Sequence, residues 1–189
     1  HSIFGEEEAF DVFFALDCGA ERLGGSEKYF WKAEKKINID HHVSNGGSGD
    51  VNVIEPGMGS TCEVLYDLLE KEWIDREIAM ALYIGMIHDT GVFQYSNTTP
   101  ETLKKASELI SYGFDFSRLI QETFYQKTYI QAQVMGRALM ESIRFLDGRC
   151  IVSAMDKKIM EFYDVEPKDL DGIVSQLRNI KGVSCAIFM

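Results

Sequence analysis

Positive charge is scarce in this chain. Its 189 residues include 19 lysines and arginines against 30 aspartates and glutamates, which gives a formal net charge of -11. Because a nucleic-acid backbone is itself anionic, the chain as a whole cannot attract it by simple electrostatics. An anionic substrate would therefore have to be held by metal ions or by a local basic patch.

Long apolar runs and paired cysteines are also missing. No stretch of the sequence is apolar over a length that would cross a bilayer, so we expect no membrane association. The four cysteines are scattered without a C-x-x-C pair: Cys18, Cys62, Cys150 and Cys185. This spacing argues against a disulfide framework and a thiolate zinc site, and it predicts a location in the reducing cytoplasm.

Extended and helical patterns alternate along the chain, which predicts an α/β fold with a mainly parallel sheet flanked by helices. The predicted strands cover residues 12–16, 36–39, 50–54, 150–155 and 183–188, with a short extended segment at 93–95. The predicted helices cover residues 26–35, 61–73, 78–87, 100–113, 116–126, 129–145, 157–163 and 168–179.

Three local signals mark the starts of helices. Ser60 and Glu63 have the spacing of a capping box, Asp75 precedes another helix, and Thr99-Pro100 is typical of an N-cap followed by proline. The helix that follows Asp75 is apolar nearly all round over residues 78–87. This pattern predicts a buried helix that ends before Gly91.

The tetrapeptide Ile39-Asp40-His41-His42 carries the strongest functional signal. It lies where a short apolar strand meets a Ser/Asn/Gly-rich loop, and adjacent histidines at a strand end rarely serve packing. Asp17 follows another predicted strand, and Asp89 lies in a glycine-containing loop. Since ligands bind outside the carboxyl ends of strands in open α/β sheets, we expect these groups to converge. Nitrogen and oxygen donors without a thiolate favour Mn²⁺, Mg²⁺ or Fe²⁺.

Simpler interpretations remain open for several of these residues. An aspartate after a strand, such as Asp17, is often a turn or cap residue. His88 is expected to cap a helix end or face solvent. The glycines of residues 46–49 favour a flexible loop over a phosphate cradle, because no helix starts directly after them.

Five motifs together resemble the DHH phosphoesterase family, in the branch that contains oligoribonucleases (nanoRNases) and pAp phosphatases. The order and spacing agree across about residues 10 to 130, and the motifs occupy residues 16–18, 38–45, 49–52, 85–93 and 96–103. The tail from about Arg149 is similar to the first part of the DHH-associated second domain.

The resemblance implies a role for each matched residue. Asp17 would bridge two divalent cations, Mn²⁺ in the first place and Mg²⁺ as the alternative, while His41 and Asp89 would ligate one of them. His42 would contact the scissile phosphate, and Asp40 would orient the histidines. Asn97 and Arg22 would help to hold the substrate.

The resemblance also implies a domain organisation. Residues 1–127 would form the DHH phosphoesterase domain, residues 128–147 a connecting helix, and residues 148–189 the start of an incomplete DHH-associated substrate-binding domain. The family's first motif, a strand ending in a histidine and paired aspartates, has no counterpart here. We expect it, like the late glycine-rich motif, to lie outside this chain, which alone would bind one ion well and be nearly inactive.

The expected activity is hydrolysis of short RNA or of 3′-phosphoadenosine 5′-phosphate by a water that two metal ions activate. Relatives of this family that act on cyclic dinucleotides, pyrophosphate or polyphosphate supply an alternative substrate class. The alternative that is not an enzyme is an inactive nucleotide-binding regulatory module. The sequence implies no protein partner and leaves open whether the chain forms homo-oligomers.

Overall fold

A computed structural model describes residues 10–189 of the chain. The chain divides into two compact units, His1–Tyr125 and Gln126–Met189. Each unit has its own buried apolar residues. The domain boundaries expected from the sequence stay a prediction, and the two units are described separately below.

The first unit contains a parallel sheet with the strand order β1-β2-β3. The strands are β1 Val12–Leu16, β2 Lys35–Asp40 and β3 Val51–Ile54. Leu16 is opposite Ile39, so the carboxyl ends of β1 and β2 meet at one edge of the sheet. The parallel pairing confirms the predicted fold class, and it brings the segments that follow β1 and β2 together.

The helices of the first unit follow the predicted order. They are α1 Glu27–Lys32, α2 Thr61–Leu68, α3 Arg76–Asp89, α4 Pro100–Ile110 and α5 Phe116–Ile120, which continues as the π-helical turn Gln121–Tyr125. Buried side chains of α2, α3 and α4, among them Tyr66, Tyr83, Met86 and Leu109, form the main core cluster.

The helix starts agree with the sequence signals, with one informative difference. Asp75 accepts hydrogen bonds from the first turn of α3, and Thr99 forms a reciprocal capping box with Thr102 at the start of α4. At α2 the Ser60 hydroxyl accepts from the Glu63 N–H. The Glu63 carboxylate, however, accepts from the Gly59 N–H rather than from Ser60, so it fixes the loop before the helix.

Two expectations about the region around α3 were wrong. The helix is not buried all round, since Ile78 is 37% exposed and Ala81 also faces solvent. The segment after it is not extended either: Gly91, Val92 and Phe93 have φ angles of 57°, 55° and 64°. This left-handed turn reverses the chain, and the Thr90 hydroxyl accepts from the Phe93 N–H to hold it.

The second unit combines helices with a mixed sheet. Its elements are α6 Tyr129–Met140, β4 Ile143–Phe145, β5 Cys150–Ser153, α7 Lys157–Tyr163, α8 Ile173–Arg178 and β6 Cys185–Phe188. Strand β5 pairs antiparallel with β4 and parallel with β6. The predicted helix over residues 129–145 was therefore too long, because the chain beyond Met140 turns and pairs as β4. Within residues 10–189, every helix is too short or too polar to cross a membrane.

Candidate metal centre

Asp17 occupies a sharp turn at the end of β1. Its backbone has a φ of 63°, in the left-handed region. Its N–H donates to the Ile39 carbonyl at 3.0 Å. The buried Asn38 amide group donates to the carbonyls of Ala15 and Cys18 on either side of the turn. These bonds turn the Asp17 carboxylate towards the end of β2, where it accepts a 2.7 Å hydrogen bond from the Thr61 hydroxyl.

His41 lies between two carboxylates. Its Nε2 is 3.6 Å from Asp17 Oδ1 and 3.7 Å from Asp89 Oδ2. Its Nδ1 lies 3.2 Å from the Met58 carbonyl oxygen, which can only accept, so Nδ1 carries the proton. In the neutral ring, Nε2 therefore presents its lone pair to the space between the two carboxylates, as a metal ligand must.

Asp89 is the last residue of α3 and is partly buried. Burial and the negative charge of Asp17 raise the pKa of its carboxyl above the ordinary value, while the histidines act in the opposite direction. Two carboxylates thus lie near the same imidazole nitrogen, His41 Nε2. A divalent cation between these groups would remove the repulsion between the two acidic side chains.

Asp40 and His42 form a second, tightly bonded pair. Asp40 Oδ1 accepts from the backbone N–H groups of His41 and His42 and from His42 Nδ1 at 2.7 Å. Its other oxygen accepts from the Asn45 side-chain amide. Burial acts to raise the pKa of Asp40, but these hydrogen bonds outweigh it and leave the pKa below the ordinary value. Asp40 is therefore an anionic anchor that fixes both histidines, and His42 Nε2 makes no hydrogen bond within residues 10–189.

The donor set fits a divalent cation. One ligand atom from each of Asp17, Asp40, His41 and His42 lies within 4.8 Å of the others. Asp89 is outside this group of four and adjoins it through the 3.7 Å separation between its Oδ2 and His41 Nε2. Ligands that share a cation at 2.0–2.2 Å lie about 3.0–3.5 Å apart, so the 3.6 and 3.7 Å separations around His41 need little closure. Nitrogen and carboxylate oxygen donors suit Mn²⁺, Mg²⁺ or Fe²⁺.

The other residues considered from the sequence have different surroundings. Asn97 donates from its side-chain amide to the carbonyls of Gly59 and Asp89, at 3.0 and 3.1 Å. Arg22 is exposed on the short 3-10 turn Ala20–Arg22 that follows Asp17. His88 is exposed as expected, and its ring packs edge-on against Phe124. The structure thus brings Asp17, Asp40, His41, His42 and Asp89 together and leaves Arg22 and His88 outside their contacts.

Sequence reasoning missed several residues that position these groups. Asn38, Asn45, Met58 and Thr61 each hold one of the candidate ligands or the turn beside it. Asn38 carried one signal, because a polar residue in a short buried strand needs hydrogen-bond partners. Met58 acts through its backbone carbonyl, which no side-chain pattern reveals.

The arrangement agrees with comparisons to known proteins. Residues 4–86 match the family described as "DHH family, N-terminal domain". This part of the chain belongs to the DHH family. The match includes the Asp17 turn, the Asp40-His41-His42 motif and the Thr61 helix start, while Asp89 lies just beyond it.

Curated relatives extend the similarity beyond the DHH domain. The chain is 34% identical over 157 residues to the "Bifunctional oligoribonuclease and PAP phosphatase NrnA" of Thermus thermophilus, an alignment that covers 81% of this chain and 46% of the relative. The protein of the same name from Bacillus subtilis is 27% identical, with 97% of this chain and 60% of the relative covered. The chain thus spans about half the length of these relatives.

A solved structure shows the same architecture. The "exopolyphosphatase-related protein from Bacteroides Fragilis" superposes with a TM-score of 0.84 at 26% identity, over 92% of this chain and 53% of that one. This likeness supports the DHH assignment and the α/β fold of the described residues.

Proposed function

We propose that the natural protein containing this chain is a metal-dependent phosphoesterase that hydrolyses short oligoribonucleotides and 3′-phosphoadenosine 5′-phosphate. The observation that carries the proposal is the position of His41 Nε2 between the carboxylates of Asp17 and Asp89, at 3.6 and 3.7 Å. The names of the DHH relatives from Thermus thermophilus and Bacillus subtilis support the substrate class.

In this proposal Asp17, His41 and Asp89 would hold the divalent cations, and the Asp17 carboxylate would be shared by two of them. Manganese is the proposed metal and magnesium the alternative. When bound, such a pair activates a water and neutralises phosphoryl charge. The cations also answer the charge problem, because a chain with a net charge of -11 otherwise repels a phosphate ester.

The remaining residues of the site position and hold the substrate. His42 donates its Nδ1 proton to Asp40, so the proton stays on Nδ1. His42 would then present Nε2 to a phosphate oxygen and donate a hydrogen bond to that oxygen when the ring is protonated. Asp40 also fixes the backbone at His41 and His42, so that both rings have defined orientations before substrate arrives. A substrate contact by Arg22 stays part of the proposal, whereas Asn97 would hold the loop around the substrate, because its side-chain amide donates to the Gly59 and Asp89 carbonyls. The free state of all four cysteines supports a cytoplasmic location.

Replacement of the ligands tests the proposal. In the longest natural chain that carries these residues, Asp17→Asn and His41→Ala should each lower Mn²⁺-dependent hydrolysis of di- to pentaribonucleotides and of pAp by about 10³-fold or more, because each removes a cation ligand. Asp147→Asn is the matched control, since it removes one negative charge from an exposed turn of the second unit. Hydrolysis at the wild-type rate by either ligand variant would refute the site.

Polyphosphate is the second candidate substrate. The Bacteroides fragilis structure, whose title names an exopolyphosphatase-related protein, favours it. The same assay should therefore include polyphosphate, pyrophosphate and a cyclic dinucleotide. Mn²⁺ binding without hydrolysis of any of these compounds would favour an inactive nucleotide-binding module.

A further inference from the structure

All three proposed ligands are connected to one short piece of backbone, residues 58–61, which we name the 58–61 segment. The Met58 carbonyl accepts from His41 Nδ1 at 3.2 Å. The Thr61 hydroxyl donates to Asp17 Oδ1 at 2.7 Å. The Gly59 carbonyl accepts from the Asn97 amide, which also donates to the Asp89 carbonyl. These residues are separated in sequence by up to 72 positions (17 to 89), and the segment joins them.

The 58–61 segment is itself fixed from both sides of Gly59. The Gly59 N–H donates to Glu63 Oε2 at 3.0 Å, and its carbonyl accepts from Asn97 at 3.0 Å. Gly59, Ser60 and Thr61 are buried. A Cβ at position 59 would lie 3.1 Å from both Glu63 Oε2 and the Asn97 carbonyl oxygen, so a larger residue would require these atoms to shift by a few tenths of an ångström.

Glu63 is an unusual anchor, because its carboxylate is almost fully buried. It accepts from the Thr102 hydroxyl at 2.9 Å and pairs with Lys105 at 3.3 Å, in addition to the Gly59 N–H. Each bond reduces the cost of burying the charge. Glu63 of α2 and its partners Thr102 and Lys105 of α4 therefore hold the 58–61 segment at Gly59.

The Asn97 side chain is committed to this connection. Both hydrogen bonds of its NH₂ group go to backbone carbonyls, and its amide oxygen is buried without a hydrogen-bond partner in the described part of the chain. Burying an amide oxygen without a partner costs free energy. We attribute the presence of Asn97 here to the two carbonyls that it holds, those of Gly59 and Asp89.

We propose that the 58–61 segment is a positioning device for the metal centre, and that Thr61 and Asn97 are positioning residues that hold Asp17 and Asp89 at the spacing a cation needs. The inference rests on the proposed function only in assigning Asp17, His41 and Asp89 as ligands. Partners that orient metal ligands change metal affinity by about 10- to 100-fold when they are removed.

The test is a calorimetric titration of the 189-residue chain with MnCl₂ alone. Thr61→Val keeps the shape of the side chain but removes the hydroxyl, and we expect about tenfold weaker Mn²⁺ binding or more. Thr61→Ser restores the donor and should bind within about twofold of wild type. Asn97→Ala, which removes both carbonyl contacts, should also weaken binding about tenfold or more.

Thr98→Val is the matched control. Thr98 directly follows Asn97, and its buried hydroxyl has no hydrogen-bond partner among the described residues. Its removal should leave the Mn²⁺ affinity within about twofold of wild type, which separates positioning from general packing. Melting curves recorded in a chelator identify the variants that remain folded.

The outcomes are distinguishable. Wild-type Mn²⁺ affinity in folded Thr61→Val or Asn97→Ala overturns the positioning role of that residue, whatever the substrate of the natural protein. If Asn97→Ala does not fold, the Mn²⁺ affinities of Thr61→Val and Thr61→Ser decide whether the 58–61 segment positions the metal centre. A wild-type chain that binds no Mn²⁺ overturns both the positioning role and the metal centre, whereas Mn²⁺ binding without hydrolysis by the natural protein overturns only the proposed activity.

Discussion

Asp40 shows how one buried side chain organises a site without touching every reacting group. It accepts four hydrogen bonds: two from backbone N–H groups, one from His42 and one from Asn45. The resemblance to the DHH family implied an orienting role for Asp40. The number of partners could not be predicted, because Asn45 and the backbone of the loop reach Asp40 only after the chain has folded.

Asp40→Asn should therefore destabilise the chain as well as the site. The amide of asparagine has one acceptor oxygen, so at least one of the former donors loses its partner in a buried place. Loss of charged hydrogen bonds predicts a decrease of about 2–4 kcal/mol in the free energy of unfolding. Urea unfolding in a chelator measures it without a contribution from metal binding. A urea unfolding curve of Asp40→Asn with the midpoint and slope of wild type would contradict the anchoring role of Asp40.

Cys62 is a second residue whose surroundings determine its chemistry. It lies on α2 against α3, where a Cβ added to Gly85 would overlap its sulfur. Burial, with the nearby charges of Asp89 and Asp17, raises the pKa of its thiol to about 11. Since the thiolate is the reactive form, Cys62 should remain unmodified in the folded chain at pH 8.

Labelling with 5,5′-dithiobis(2-nitrobenzoate) measures this difference. Cys185 is exposed and should react first, at least about tenfold faster than Cys62. Cys185→Ser should remove the fast phase, and Cys62→Ser should leave that phase unchanged. Equal rates at the two positions in native chain would mean that the helix packing around Cys62 is more open than the structure shows.

At the scale of elements, the helix caps and the succession of helices and strands along the chain were predictable, whereas the junctions between elements were not. Ser60, Asp75 and Thr99 start their helices because a side-chain oxygen at that position satisfies free N–H groups, which is a local effect. The end of α6 depends instead on pairing with the next strand: Ile143 and Phe145 pair with β5 in a hairpin. The left-handed turn at Val92 and Phe93 is likewise imposed by its surroundings, since neither residue favours positive φ.

The contact between α2 and α4 has a pH dependence of defined sign. Burial acts to lower the pKa of Lys105, but its hydrogen bond to Asp67 and the charge of Glu63 raise it above the ordinary 10.5. A raised pKa in the folded state means that the ammonium stabilises the fold fully below about pH 10.5. This contribution is lost as the pH rises through the folded-state pKa.

Lys105→Met isolates this contribution. At pH 8 the variant should be less stable than wild type by about 1–3 kcal/mol, because Glu63 keeps its hydrogen bonds but loses its cation. The difference should shrink as the pH rises from about 10 to 12. Unfolding free energies of both chains, measured by urea titration across this range, provide the check. A difference that stays constant to pH 12 would show that Lys105 contributes packing rather than charge.

For the whole molecule, the sequence predicted which residues converge better than it predicted how they are held. Asp17, His41 and Asp89 come together because parallel pairing aligns β1 with β2 and the buried face of α3 directs its last residue towards the same place. The supports came from the 58–61 segment, where the sequence predicted only the start of a helix. Its function depends on backbone carbonyls and on Asn97, and these contacts exist only in the folded chain.

Since all the proposed ligands lie in the first compact unit, metal binding should stabilise that unit alone. Free Mn²⁺ at 100 times its dissociation constant adds about 2.7 kcal/mol to the stability of whatever unit binds it. Hydrogen exchange of the full chain, with and without Mn²⁺, should therefore show slower exchange in the globally protected amides of α2, α3 and β2. The amides of α8 and β5 should be unchanged, because the second unit has separate core clusters and none of the ligands. Equal slowing of exchange in both units on adding Mn²⁺ would contradict their independent stability. No slowing in either unit would mean that no cation binds at the Asp17, His41 and Asp89 site.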